Sequence, residues 1–193
     1  SRLDASGRKI ARLEGIEYLR QLVVLNLAHN RLQDVSPLRT LRKLRELDLS
    51  KNHISSLKSL GYESLAGLRL RRLDLGHNLI AIPSAAGGPS DGDLLGRCVS
   101  LEELDLADNF VDSVAPLSGL SRLRFLDLRT NRIADLSPIS GLSSLEELDW
   151  AESSARSPLV IPGVTTVKRT WGESPGSAAG RSPPDLYIGI DCS

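Results

Sequence analysis

The chain has 193 residues; 40% are hydrophobic but only 4% aromatic, and 24 lysines and arginines balance 24 aspartates and glutamates. That length holds one core built mainly from aliphatic side chains, and the balanced charge gives no reason to expect a nucleic acid or a membrane surface as partner. With no run of about 18 apolar residues and no charged-then-apolar leader, neither a transmembrane span nor a signal peptide is expected. Methionine is absent, even at position 1, so the sequence reads as a fragment or a processed chain.

The first residues already lie inside a repeat. Leu3, Ala5, Arg8 and Ile10 stand 22 residues ahead of Leu25, Leu27, Asn30 and Leu32, with arginine in the place of the asparagine. From Leu22 the frame LxxLxLxxNxL is complete, through Leu22, Leu25, Leu27, Asn30 and Leu32, and it returns from Leu44, Leu70, Leu101 and Leu123. A sixth copy begins with Leu145, Leu148 and Trp150 but has Ser153 in the asparagine position. The asparagines Asn30, Asn52, Asn78, Asn109 and Asn131 are separated by 22, 26, 31 and 22 residues. Self-similarity with this period and spacing reads as a leucine-rich-repeat solenoid of the 22-residue kind with two insertions.

Each LxL triplet predicts a short strand whose leucines point inward, and parallel stacking of these strands makes a sheet on the concave side. An asparagine amide both donates and accepts, so the five asparagines are expected to form a column bridging backbone groups of adjacent turns. Between strands the apolar beat is three residues, as in Leu32, Val35, Leu38, Leu41 and Leu44, which predicts 3₁₀ turns on the convex side. Ser36-Pro37, Ala115-Pro116 and Ser137-Pro138 occupy equivalent places there, with proline tolerated early in a turn and the serine expected to cap it. The fold class is therefore an α/β solenoid with a parallel concave sheet and short 3₁₀/α turns. The four extra residues around Gly61 to Gly67 are expected to lengthen one convex segment, and PSAAGGPSDGD, Pro83 to Asp93, to form an exposed loop.

The solenoid is assigned to residues 1–152. Residues 153–193 are assigned to a tail or linker rich in serine, proline and glycine, with a strand at 185–192 and the stretch LVIPGVTTV able to close the last repeat under Trp150. Cys98 takes a core position and Cys192 is next to last; two unrelated cysteines make no disulfide framework, which points to the cytoplasm. His29, His53 and His77 fall at turns without an accompanying carboxylate or thiol cluster, and no metal or other cofactor is expected.

The units LVVLNLAHNRLQDVSPLRTL and LRFLDLRTNRIADLSPISGL resemble the 22-residue repeats of the regulatory subunit of protein phosphatase one and of axonemal dynein-associated proteins. The resemblance implies a non-enzymatic scaffold of the cytoplasm, nucleus or cilium that binds a protein partner on its concave face, a phosphatase or a cytoskeletal component. The family's terminal cap motif is not found here.

Function is sought in the residues between the inward leucines. The central outward column is Asp4, Asn26, Asp48, Asp74, Asp105, Asp127 and Asp149. With strands about 4.8 Å apart, such carboxylates repel unless water or a cation reaches them. Two readings stay open: a basic protein surface is that cation, or aspartate is simply common after leucine in these repeats. The first flanking column is Val24, Glu46, Arg72, Glu103, Phe125 and Glu147, and the far one, mostly small, is Ala28, Ser50, Gly76, Ala107, Arg129 and Ala151. The candidate protein-binding residues are Asp48, Arg72, Asp74, Glu103, Asp105, Phe125, Asp127, Arg129, Glu147 and Asp149, with Phe125 the exposed aromatic anchor. These carboxylates repeat along an open surface instead of converging as a catalytic pair. A second reading comes from DLYIGIDCS, which resembles the opening strand of sugar kinases of the actin-like ATPase superfamily. That resemblance makes the solenoid an appendage of a larger enzyme, with Gly189, Asp191 and Ser193 near the nucleotide phosphates.

Overall fold

A leucine with one outward residue on each side gives a strand just long enough to bury one face and leave the other open. In the computed structural model, which describes residues 1–61, 67–84 and 90–150, these triplets form one parallel sheet. Its seven strands, in spatial order, are β1 (Arg2–Asp4), β2 (Val24–Asn26), β3 (Glu46–Asp48), β4 (Arg72–Asp74), β6 (Glu103–Asp105), β8 (Phe125–Asp127) and β9 (Glu147–Asp149). Two further strands, β5 (Ala81–Ile82) and β7 (Phe110–Val111), pair in parallel beside it. Leu3, Leu25, Leu47, Leu73, Leu104, Leu126 and Leu148 face one another rung by rung, as the repeat frame requires. A slip of one residue would turn every one of these leucines to the wrong side.

The asparagines form the expected column. Asn109 shows the pattern: its Oδ1 accepts from the Ile80 N–H of the preceding repeat at 3.0 Å, while its Nδ2 donates to the carbonyls of Leu75, Leu106 and Ala107. Asn52, Asn78 and Asn131 repeat it one turn apart, and Asn30 accepts from both Arg8 and Ile10 N–H. Each amide thereby fills buried backbone valences that aliphatic side chains cannot satisfy. Bringing it inward bends the chain, and the preceding residues His29, Lys51, His77, Asp108 and Thr130 all adopt left-handed backbone, with φ between 51° and 57°. That conformation costs about 1 kcal/mol or more for a residue with a Cβ, and the amide's hydrogen bonds offset it.

The opposite side consists of 3₁₀ turns at Ile16–Tyr18, Ser36–Thr40, Lys58–Leu60, Ala115–Gly119 and Ser137–Ile139. Proline is early in three of them, but the serine beside it does not cap. Instead Asp34 and Asp135 accept the N–H of Ser36 and Ser137, and the Ser56 and Ser113 hydroxyls do the same for Lys58 and Ala115. The cap therefore comes from two residues upstream, in one column of the repeat.

The expectation of an exposed loop from Pro83 to Asp93 is corrected at its end. Helix α1 (Asp91–Gly96) begins at Ser90, whose hydroxyl accepts from Asp93 N–H while the Asp93 carboxylate accepts from Ser90 N–H. Asp91, Gly92, Leu94 and Leu95 are buried. Asp91 Oδ1 reaches back to the Ser56 hydroxyl at 3.0 Å and the Leu57 N–H at 2.9 Å, tying the insertion to the previous turn. A Cβ at Gly96 would collide with the Pro116 carbonyl, so only glycine lets the helix lie this close to its neighbour. The S-x-x-D capping signature was present in the sequence, masked by the surrounding small residues.

One continuous aliphatic core runs the length of the array, with Trp150 packed half-buried against its end. Cys98 is part of that core, and burial pushes its thiol up to about 12. The extended convex segment expected near residues 62–66, the Ser153 frame break, and the tail with its strand at 185–192 lie outside the described residues.

Candidate functional site: the aspartate row of the strand face

The central column lies where each strand ends and the chain turns toward its asparagine. Here a side-chain oxygen can take the N–H two residues on, closing a small local turn. Asp4, Asn26, Asp48, Asp74, Asp105 and Asp127 all do so, at 2.8 to 3.0 Å. Asparagine performs the task at position 26 as well as aspartate does elsewhere, so the turn needs the acceptor and not the charge. One oxygen of each residue is thus structural.

The remaining charge is handled differently along the row. Asp127 is completely buried, and Arg129 grips it in a fork: Nε lies 3.0 Å from both carboxylate oxygens, and Nη2 is 2.6 Å from Oδ2. The same Nε is 3.4 Å from Asp149, so one guanidinium serves two rungs. Asp127 first, then Asp149 and Asp105, raise the arginine's pKa. Arg129, expected as an outward contact, is the row's own counter-ion.

Asp74 and Asp105 have no arginine or lysine in salt-bridge contact among the described residues. Burial, followed by repulsion from Asp48, raises Asp74 to about 7. Burial, followed by repulsion from Asp74 and Asp127, raises Asp105 to about 8. Arg72 and Arg129 act on them only from a distance and are outweighed. Beside them the far column has Gly76, where an added Cβ would stand 3.1 Å from Asp105 Oδ1 and 3.3 Å from Asp74 Oδ1. Ser50, Gly76 and Ala107 therefore supply no cation to the two carboxylates from the far column.

The first column is more paired than the sequence suggested. Arg72 meets Glu103 at 3.3 Å. Phe125 stands in register between Glu103 and Glu147, but it is half-buried, and the Arg124 guanidinium lies 5.4 Å from its ring centre. The expectation of an open aromatic anchor there is corrected: among the described residues the exposed large apolar side chains are Tyr18, Leu19, Leu79, Val99 and Phe110. Glu147 keeps one enclosed oxygen without a hydrogen-bond partner among the described residues. Asp48 is half-buried and tied to Ser50, and the three histidines are exposed at separate turns, His77 meeting Asp108 at 3.2 Å. Ala151 lies outside the described residues.

Charge is also segregated along the chain. Residues 1–72 contain 15 lysines and arginines against seven aspartates and glutamates, whereas residues 73–150 contain five against 13. The net balance of zero conceals a basic half and an acidic half.

Stacked three-residue strands, 3₁₀ returns and an asparagine column define a leucine-rich-repeat fold. In agreement, the family model described as leucine-rich repeats (two copies) matches residues 20–62 and 99–141. The chain is similar to an internalin (inlF) of Listeria monocytogenes at 30% identity and a TM-score of 0.67, over 77% of this chain and 40% of that one. It is similar to internalin C2 of the same organism at 26% identity and a TM-score of 0.62, over 88% of this chain and 80% of that one. No curated protein sequence matches the chain. It thus spans less than half the length of the first of these structures. No helix among the described residues is long and apolar enough to cross a membrane.

Proposed function

We propose that the protein is a non-enzymatic interaction scaffold whose strand face receives a basic segment of a partner protein over Asp48, Asp74 and Asp105. The observation that carries this is the contrast between Arg129 and Gly76. Where the far column supplies a guanidinium, the carboxylates are neutralised in place; where it supplies glycine and alanine, two carboxylates are pushed toward neutral pKa. An arginine from a partner completes the row there with the fork geometry Arg129 already displays, gaining a charge-assisted pair in a partly desolvated site. One oxygen of each of these carboxylates accepts a backbone N–H, which leaves the other for the partner's guanidinium. The leucine-rich-repeat family match and the internalin neighbours support the general role of protein binding.

The test is titration of the full chain with a fluorescently labelled arginine-rich peptide at low salt. Binding is expected to weaken in Asp74→Asn/Asp105→Asn and to be blocked in Ala107→Arg, which places a guanidinium beside Asp105. Unchanged binding in both variants overturns the assignment. The phosphatase and axonemal partners implied by the repeat resemblance are separated by affinity purification with wild type and the Asp74/Asp105 variant. We also infer a cytoplasmic setting, on the presence of a buried free thiol at Cys98.

A further inference from the structure

On the flank where the 3₁₀ turns run back into the strands, an open groove of about 680 Å³ is lined by Arg20, Gln21, Arg39, Thr40, Arg42 and Lys43. Four of these residues are cations and none is an acid. Farther along the same flank, Glu102, Arg122, Arg124 and Glu146 help line a second groove of about 570 Å³. There the charges are matched within the chain: Arg124 binds Glu146 through two 2.8 Å hydrogen bonds, and Arg71 meets Glu102 at 3.0 Å. In the first groove Arg20, Arg39 and Lys43 make no salt bridge among the described residues. Of the described carboxylates nearby, Glu17 holds the Gly15 N–H and Asp34 holds Ser36, with Arg39 acting on Asp34 only from a distance. Among the described residues Lys43 donates only to the neutral amide oxygen of Gln21. Arg42 is turned over Gly67, so Arg20, Arg39 and Lys43, all exposed, carry the site. Tyr18 and Leu19, 78% and 45% exposed, immediately precede Arg20 in the turn that packs on the Arg39 turn.

We propose that this groove binds an acidic segment of a partner protein, its carboxylates against Arg20, Arg39 and Lys43 and an apolar side chain against Tyr18 and Leu19. Exposed aromatic and apolar surface beside three exposed cations that form no salt bridge among the described residues suits a peptide that is both acidic and hydrophobic. A nucleic acid is a poorer fit, because Glu102 and Glu146 interrupt the flank and no continuous basic stripe follows it. This site lies away from the aspartate row and does not depend on the function proposed for it.

The full chain is titrated, at low and at high salt, with a labelled glutamate-rich peptide carrying one central leucine. Saturable binding that weakens with salt is expected. Arg39→Glu/Lys43→Glu should lose about tenfold or more, and Tyr18→Ala should lose less, and only for the peptide with leucine. Arg31→Gln, an exposed cation outside the groove, should bind like wild type. Thermal unfolding of the charge-reversed protein should match wild type, since both side chains are exposed; if it does not, Arg20→Gln, expected to weaken binding at unchanged stability, takes its place. Absence of binding, equal binding by the charge-altered variants, or tighter binding of a single-stranded oligonucleotide of equal charge overturns the proposal.

Discussion

Asp127 and Asp74 occupy the same slot of two repeats, end equivalent strands, and accept the same local N–H. Asp127 is nevertheless held under a forked arginine, whereas Asp74 shares a patch with Asp48 and Asp105 and keeps its proton to about 7. The difference comes from one residue two positions later, Arg129 against Gly76. A repeat frame thus fixes where a carboxylate sits, while a single variable position decides whether the fold or something outside it supplies the counter-charge. Both outcomes coexist in one sheet because each strand contributes its own far-column residue.

The largest effect should come from removing the arginine. Arg129→Ala strands a completely buried Asp127 and relaxes Asp149, and about 2–3 kcal/mol of stability should be lost in urea unfolding at neutral pH, less than for a fully enclosed pair because the guanidinium is partly exposed. Adding Asp127→Asn should restore most of it, since asparagine still accepts the Arg129-position N–H as Asn26 does for Ala28. If the double change is no better than the single one, Arg129 acts through packing of its stem and not through charge.

At the other end the sign reverses. An aspartate free in the unfolded chain ionises near 3.8, but in the fold Asp74 does so at about 7 and Asp105 at about 8. Between those limits the folded protein holds protons that the unfolded chain has released. Their contribution to stability is therefore full below about pH 4 and lost as pH rises through 7 and 8. Asp105→Asn should stabilise the protein by about 1–3 kcal/mol at pH 9 and by almost nothing near pH 4. A gain of equal size at both pH values would show that repulsion is not its source.

A smaller change tests the contrast by transplanting it. Ala107→Arg puts a guanidinium in the Arg129 column one rung earlier, within reach of Asp105 by the same two-residue offset. Because Ala107 is itself buried, overpacking offsets the new pair and stability at pH 8 should change by less than about 1 kcal/mol, but the pH dependence between 6 and 9 should flatten visibly. An unaltered pH profile would mean that the two-residue offset alone does not bring arginine onto aspartate.

Most of the scaffold was legible in the sequence because it depends on period. Leucines at fixed spacing can stack only in one register, and an asparagine at the strand exit has few alternatives to bridging two turns. The 3₁₀ returns followed from the three-residue beat. Helix α1 was hidden because Gly92 and Gly96 look like loop residues until the closeness of Pro116 is known. The site was harder to read, since its chemistry depends on distances no frame encodes. Position alone marked Asp105 and Arg129 as outward, but only coordinates show one buried carboxylate carrying no arginine and another fully held by one. The segregation of charge into a basic and an acidic half was countable from the start, and the zero total concealed it.

Phe125 provides the weakest test of the contrast. An open anchor removed from the sheet would leave unfolding unchanged, which is what its outward column implies. In the fold, its ring is half-buried beneath Arg124 and lies between Glu103 and Glu147, so truncation removes contacts inside the protein as well as contacts available to a partner. Phe125→Ala should therefore cost about 1 kcal/mol, well below the 3–5 kcal/mol of a fully enclosed aromatic. Binding of an arginine-rich peptide over Asp74 and Asp105 should stay close to wild type, because β8 lies beyond those rungs. A large loss of that binding at unchanged stability would shift the docking surface toward the Arg129 end, and the two halves of the row would then act as one.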